Sequence, residues 1–400
     1  MKIGLYNSCF ENHAVSNLST AVLANTLALG HDTEIISPPK SPGAEDLALS
    51  SGCSLERVSF RIVAAPPQTI TDPNQPDRRY QAIRDWSHEL THAYDLFISF
   101  SDRLPIYCSA PRGVLVIQFP HDFVPAFYRR FWQSHLDTYQ LKLVNSYYSR
   151  FWTNVFWELD CCVVYPPLPM PSSASTQSKL IVSIGSFDVL EPEKQLKMIS
   201  VFQDLASNLP EWSLAIAGNA DPHTVMRKSF QRFRKTAADA GVTLIANPTF
   251  KEWQALFGRA SILWQGATLG QPLDQEPHNA EPYSLRVLQA MSSSCIPLVT
   301  NSGGFAEVIR HSETGFFYKD LSELARYTTL LGNNQSTRVR IAKAARKRAK
   351  DFRAERYLQT FLRHLENAFD IRSDFRASRP SWWRRFIRPN VKSDNRQAVT

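Results

Sequence analysis

EPYSLRVLQAMSSSCIPLVTNSGGFAEVI, residues 281–309, reads as one complete step of an α/β fold. A helix over 284–293 runs into a short apolar strand over 296–300 (IPLVT), and Gly303-Gly304 turns the chain after it. A run of four to eight apolar residues bounded by turn residues is the mark of a strand buried on both faces, as in a parallel sheet. Working upstream, the pattern repeats: strands at 180–184, 213–217, 242–246 and 261–264 alternate with helices near 194–208, 223–240 and 250–258. Downstream, a short strand at 315–318 is followed by 321–369, which reads as wholly helical. Strands alternating with helices predict a parallel sheet covered by helices.

The N-terminal half shows the same grammar. Residues 2–6 (KIGLY) read as a strand, 16–29 as a helix ended by Gly30-His31, and 33–37 as a second strand. Further strands are expected at 94–100, 114–118, 141–145 and 162–165, with a Pro-rich polar loop at 64–79. PPLPMPSSASTQS at 166–178 has the Pro/Ser density of a hinge. The expected organisation is therefore α/β: two Rossmann-like domains, 1–170 and 171–340, facing across a cleft. Helices at 341–370 are expected to brace the first domain, ahead of a separate segment, 371–400. In such folds ligands sit at the carboxyl ends of the strands.

Forty-five Lys/Arg against 37 Asp/Glu give a formal charge of +8, but it is unevenly placed. Residues 371–400 hold eight basic and two acidic residues, a net of +6, which leaves +2 for the first 370 (37 basic, 35 acidic). A nearly neutral body argues against nucleic-acid binding. The six cysteines form no CxxC pair and no zinc-like spacing with histidine, which fits a reduced, cytoplasmic compartment. The N-terminus lacks an uninterrupted apolar stretch of signal-peptide length, and no run approaches the ~20 apolar residues of a spanning helix.

The 281–309 stretch resembles the pattern E-P-F-G-x-x-x-x-E-A-M-A-x-G-x-P-V-V followed by G-G-x-x-E, found in retaining, nucleotide-sugar-dependent glycosyltransferases of family four (glycosyl transferases group one), whose fold is GT-B. LIVSIGSFDVLEPEKQLKMISVF at 180–202 is similar to the first strand of that family's donor domain. VIQFP at 116–120, VNSYYSRFW at 144–152 and VVYPPL at 163–168 are similar to segments of its asparagine-linked-glycan mannosyltransferase-like branch. The resemblance implies transfer of a sugar from a nucleotide diphosphate to a glycan or lipid-linked glycan. It implies neither a cofactor nor a metal ion, since no DxD motif follows a strand. It also implies a donor site built from Ser186, Lys194, Glu281, Tyr283, Ser284, Leu285, Gln289, Gly303 and Gly304. Of these, Lys194 and the Gly303-Gly304 amides would face the diphosphate, Glu281 the sugar hydroxyls and Gln289 the ribose. His121 and Glu281 are the catalytic candidates, and His13, Gln118 and Asp122 lie on the acceptor side.

The chemistry accounts for such residues. Charge grows on the departing diphosphate as the glycosidic bond breaks, so fixed donors and cations must be aimed at it. Read from the residues alone, Lys194 is equally a solvated charge, Gly303-Gly304 plain turn chemistry and Glu281 a complement to a helix dipole. Four positions depart from the family pattern: Ser186 replaces an arginine, Gln289 a glutamate, Ser294 a glycine and Gln265 a histidine. Arg286, on the same helix start, is the available compensating cation. The departures keep open a non-catalytic GT-B protein that binds a glycan or partner; a phosphorylase or epimerase is the third reading, though no lysine motif for pyridoxal phosphate is present.

In the last segment, Trp382, Trp383, Phe386 and Ile387 are interleaved with Arg379, Arg384, Arg385 and Arg388. Indoles at headgroup level and guanidinium groups on anionic lipid make a coherent peripheral membrane anchor.

Overall fold

A computed structural model describes residues 1–8, 10, 14–64, 76–101, 105–120, 133–169, 176–185, 187, 192–220, 228–266, 269 and 277–371. The first half builds β1 (Lys2–Asn7), α1 (Ala14–Leu27), β2 (Asp32–Ser37), α2 (Ala44–Ser51), β3 (Ser59–Ile62), α3 (Pro76–Thr91), β4 (Leu96–Ser101), β5 (Gly113–Ile117), β6 (Leu141–Val144), α4 (Tyr147–Trp157) and β7 (Cys162–Val163). The second builds β8 (Leu180–Ile184), α5 (Pro192–Leu205), β9 (Ser213–Gly218), α6 (Lys228–Asp239), β10 (Thr243–Ala246), α7 (Phe250–Arg259), β11 (Ile262–Gln265), α8 (Leu285–Ser292), β12 (Ile296–Thr300), α9 (Phe305–Val308) and β13 (Phe316–Tyr318). Three helices follow: α10 (Leu321–Asn333), α11 (Gln335–Ala349) and α12 (Ala354–Phe369).

The strands form two sheets, ordered β3-β2-β1-β4-β5-β6-β7 and β10-β9-β8-β11-β12-β13, and every pairing is parallel. Order reverses beside β1 in the first sheet and beside β8 in the second, the topological switch of doubly wound sheets. Side-chain alternation divides each sheet between two cores. Leu96, Ile98 and Phe100 of β4 enter one core while Phe97 enters another. In the second sheet Val182, Leu263 and Val299 join the first of these cores, whereas Ile181, Ile262, Trp264 and Leu298 pack on the far side. One apolar cluster thus runs through both halves.

Pro297 sits inside β12, a position that ordinarily excludes proline because a ladder donor is lost. Ile296 N–H donates to the carbonyl of Ser261, the residue just before β11, so alternation turns the proline nitrogen towards β13. The β13 pairing begins only at Leu298, opposite Phe316, so no partner is deprived.

The helical C-terminus is broken where local chemistry demands it. Asp320 caps α10 by accepting from Glu323 N, Asn334 caps α11 by accepting from Thr337 N, and a short 3-10 turn at Lys350–Phe352 precedes extended Arg353. α12 lies on α1, with the Tyr357 hydroxyl donating to Ser19 O at 3.2 Å and Leu358, Phe361, Leu362 and Leu365 buried. Leu168 N donates to Phe352 O at 2.8 Å, so the beginning of the 166–178 stretch is tied down rather than free to hinge. Leu362 is fully buried here, and Leu362→Ala is expected to cost about 2–5 kcal/mol through transfer and cavity terms, read by urea denaturation.

Several expectations need correction. The 64–79 loop stops at Pro76, where α3 begins, since proline suits the first helical position. The helical reading of 321–369 holds, as three helices and a 3-10 turn. α2, β3 and α4 have no counterpart in the sequence reading, and the strand at 162–165 is only two residues long.

Candidate functional site

Glu281 occupies the bent segment that leads into α8, half-buried at the carboxyl end of the second sheet. The turn after β12 is bolted to this segment. Gly304 N–H donates to Glu281 O at 2.9 Å, and Gly303 has φ +57°. A Cβ on Gly303 would fall 2.4 Å from Glu281 O, and one on Gly304 2.1 Å from Pro282 O. Backbone on backbone at this spacing leaves room only for glycine. The Gly304 amide, expected to face a diphosphate, is therefore spent within the protein, and the two glycines fix where Glu281 stands.

Ser284 caps α8, its buried Oγ accepting from Val287 N at 3.4 Å. The first two amides of α8, of Leu285 and Arg286, have no partner inside the helix and lie four and five residues past Glu281, the usual situation for holding an anion. Leu285, the first helical residue, buries its side chain in the shared core, so only its backbone can face a ligand. Tyr283 departs from expectation. Its ring is 3% exposed and its hydroxyl donates to Pro166 O at 2.8 Å, so its phenol binds the two halves together rather than a nucleotide. Burial pushes that phenol well above its usual pKa.

Arg286 projects from α8 over the Trp253 ring, 4.4 Å from its centroid, and donates from Nη1 to Gln289 Oε1 at 3.0 Å. Burial lowers its pKa to about 10, against an opposing pull from Glu281. The guanidinium stays charged at neutral pH. α7 presents Trp253 through a capping box in which Thr249 Oγ1 accepts from Glu252 N and Glu252 Oε2 accepts from Thr249 N at 2.7 Å. Gln289, expected at the ribose, lies half-buried beside a cation with its amide oxygen already engaged.

Lys194 stands in the first turn of α5, the helix that follows β8. Gln118 is buried at the end of β5, where its carbonyl accepts from Asn145 Nδ2 at 2.8 Å and Ser149 Oγ at 3.2 Å. Ser294 has φ +68°, which explains why glycine belongs there in the pattern; its carbonyl accepts from Gln177 Nε2. Gln265 ends β11, buried. Ser186, His13, His121 and Asp122 lie outside the described residues. Among the described residues, no group of three or more His, Cys, Asp or Glu is placed to hold a metal ion.

One site residue escaped the sequence reading. Glu307, the last letter of G-G-x-x-E, accepts from Tyr147 N and Tyr148 N at 2.8 Å each and from the Tyr165 hydroxyl at 2.7 Å, all in the first half. The pattern contained the residue, but nothing in it pointed to a partner 160 positions away.

Residues 171–348 match the family described as glycosyl transferases group 1. In structure, 92% of the chain superposes on 100% of HepE from Anabaena, crystallised with UDP-glucose, at 13% identity and a TM-score of 0.63. The fold is GT-B. A glycosyltransferase from Rickettsia africae aligns over 92% of this chain and 99% of its own at 14% identity, TM-score 0.66. S. aureus TarM, in a complex that includes UDP, aligns over 91% and 99% at 10% identity, TM-score 0.60. No curated protein sequence matches the chain significantly. In this GT-B chain the matched region contains Glu281, α8 and the Gly303-Gly304 turn, and Gln118 stands in the other sheet.

Proposed function

We propose that the protein is a retaining glycosyltransferase that moves a sugar from a nucleoside-diphosphate sugar, of which UDP-glucose is the first candidate, to a glycan or lipid-linked glycan. The observation that carries this reading is Glu281 held by its own backbone against Gly303-Gly304 at the start of α8, with Arg286 beside it. UDP and UDP-glucose in the HepE and TarM crystals support the uridine donor.

In the proposed reaction the donor's diphosphate meets Lys194 and the free amides at the start of α8, and Gln289 meets the ribose. Glu281 accepts hydrogen bonds from sugar hydroxyls. As the anomeric C–O bond breaks, both electrons leave with the β-phosphate oxygen. The acceptor hydroxyl oxygen attacks the anomeric carbon from that same face, and its proton passes to the departing diphosphate, so configuration is kept. Charge on the leaving group is met by protein cations and dipoles without a metal ion. Ser186 offers no cation there, and Arg286 is the residue assigned to restore it. Arg286→Met is expected to weaken UDP affinity about 10-fold, the loss of one charge-assisted contact, as read by calorimetry. On the acceptor side we assign His121, with His13 and Asp122 nearby in function.

The test is direct: incubation with UDP-glucose, with UDP release followed by proton NMR of the sugar product. An α-configured product formed first supports retention, and a β-configured one refutes it. A second reading, a GT-B protein that binds without catalysis, is favoured by one observation, the Arg286 to Gln289 bond that occupies the ribose-side amide. UDP-glucose binding with no UDP release from any acceptor mixture would select it.

Residues 372–400 lie outside the described residues, whereas Ile371 is buried in the core. Among the described residues no helix is long and apolar enough to cross a membrane. We assign the Trp/Arg segment to an anionic membrane surface, with the body on the cytoplasmic side. Deleting 372–400 is expected to abolish sedimentation with phosphatidylglycerol vesicles at low salt; unchanged sedimentation contradicts the assignment.

A further inference from the structure

A continuous hydrogen-bonded path joins the two sides of the cleft. From the acceptor-side strand end, Gln118 O accepts from Asn145 Nδ2 and Ser149 Oγ, and Ser149 Oγ donates to Asn145 Oδ1 at 2.6 Å. Ser146 caps α4 by accepting from Ser149 N, the third amide of that helix, at 3.0 Å. The first two amides, of Tyr147 and Tyr148, are not capped from their own chain segment. They are capped from the opposite half by the two carboxylate oxygens of Glu307. Glu307 N then donates to Gly304 O at 3.1 Å, and Gly304 N to Glu281 O at 2.9 Å. We propose that Glu307 is a positioning residue, a clamp that fixes the angle between the halves and so holds acceptor-side Gln118 in register with donor-side Glu281.

Three observations make the clamp specific. A carboxylate on the opening amides of a helix has both charge and geometry in its favour, since it satisfies donors that have no intrahelical partner and meets the positive end of the helix dipole. The carboxylate is itself braced: Tyr165 donates to Oε2, and Arg348 of α11 donates to the carbonyls of Glu307 at 2.6 Å and Val308 at 3.1 Å. The contact also has a neighbour of the same kind, because Tyr148 Oη donates across the halves to Pro277 O at 2.9 Å. Glu307 sits three residues beyond Gly304, within the turn that fixes Glu281. The Glu307 side chain thus links the turn that holds Glu281 directly to the start of α4.

The test reads geometry first and kinetics second, because only the second rests on the transferase reading. Spin labels carried by unnatural residues at Leu49 and Val339, 56% and 59% exposed in the two halves, report the interdomain distance without using the native cysteines. Glu307→Ala is expected to broaden and lengthen the distance distribution, and Glu307→Gln, which keeps one acceptor oxygen, to give an intermediate one. Should the alanine variant not fold, the glutamine variant carries the comparison. Distributions superimposable on that of the wild type overturn the proposal. In the kinetic arm Glu307→Ala is expected to lower kcat about 10-fold with UDP affinity within about twofold, the split of a misaligned rather than an emptied site. Equal losses in both, with unchanged distances, also overturn it. A chain that binds no UDP but shows the distance change defeats the transferase reading and leaves the clamp standing.

Discussion

Glu281→Ala is expected to lower kcat/KM for the proposed transfer from UDP-glucose by about 10- to 150-fold, the ~1.5–3 kcal/mol of a hydrogen bond to a charged group. The carboxylate is the part removed; the backbone that receives Gly304 is retained, so the turn and α8 keep their places. Stability should therefore move by no more than ~0.5 kcal/mol, the usual range for a side chain outside the core. Activity loss without stability loss is the combination that separates a binding role from a complement to the α8 dipole. Glu281→Gln preserves an acceptor oxygen without the charge and should fall between. The change has a second consequence at Arg286, whose charged form is favoured by Glu281 and opposed by burial. Removing the carboxylate leaves the guanidinium to Trp253 and Gln289 alone.

Gly303→Ala is the larger perturbation of the same site, because it acts on backbone. Its φ of +57° carries a cost of about 1–2 kcal/mol for a residue with a Cβ. The Cβ would also meet Glu281 O at 2.4 Å, and Glu281 C and N at 3.1 Å, none of which is the movable end of a side chain. The turn must shift, and Glu281 with it. We expect a stability loss of roughly 2–3 kcal/mol together with loss of UDP binding. Gly241→Ala is the control: it has φ +67° with nothing within 4 Å of the added carbon, so it reports the conformational cost by itself. Equal effects at 303 and 241 would show that the close approach to Glu281 contributes nothing.

The parts of the fold legible in the sequence were those buried on two faces. β1, β8 and β12 are short apolar runs because both sides of a parallel strand pack against helices, and such runs stand out against polar turns. β3 does not: all four residues of SFRI are exposed at the sheet edge, so no burial pattern marks them. α2 buries only Leu47 and Ser51, too few for a helical stripe. α4 was hidden for a different reason. Its apolar residues Tyr147, Phe151 and Val155 are exposed, so hydrophobic spacing did not report an inward face. The 321–369 stretch was legible as helical throughout, and the caps Asp320 and Asn334 mark where its first two helices begin.

At the site, local grammar and long-range pairing part company. The local geometry of Glu281, Ser284 and Gly303-Gly304 is set by neighbours within about 25 residues along the chain, which is why the turn and the helix start could be read there. The roles of Tyr283 and Glu307 are set across the cleft, by Pro166 O and by the amides of α4, and no periodicity encodes such partners. Tyr283 therefore looked like a donor contact and proved to be a peg between the halves. Ser294 is the opposite case. Its left-handed backbone shows what the pattern's glycine is for, and the chain accepts a strained serine there.

On the proposed function, this cleft binds a nucleoside diphosphate through the α8 start, Lys194 and Arg286. Calorimetric titration of the full chain with UDP-glucose, GDP-mannose and ADP-glucose tests it most directly. Saturable, exothermic binding of one nucleotide class, UDP-glucose foremost, is expected at submillimolar concentration, with loss of that binding in Gly303→Ala. Absence of binding by all three donors at millimolar concentration, from a chain with a cooperative unfolding transition, would contradict it.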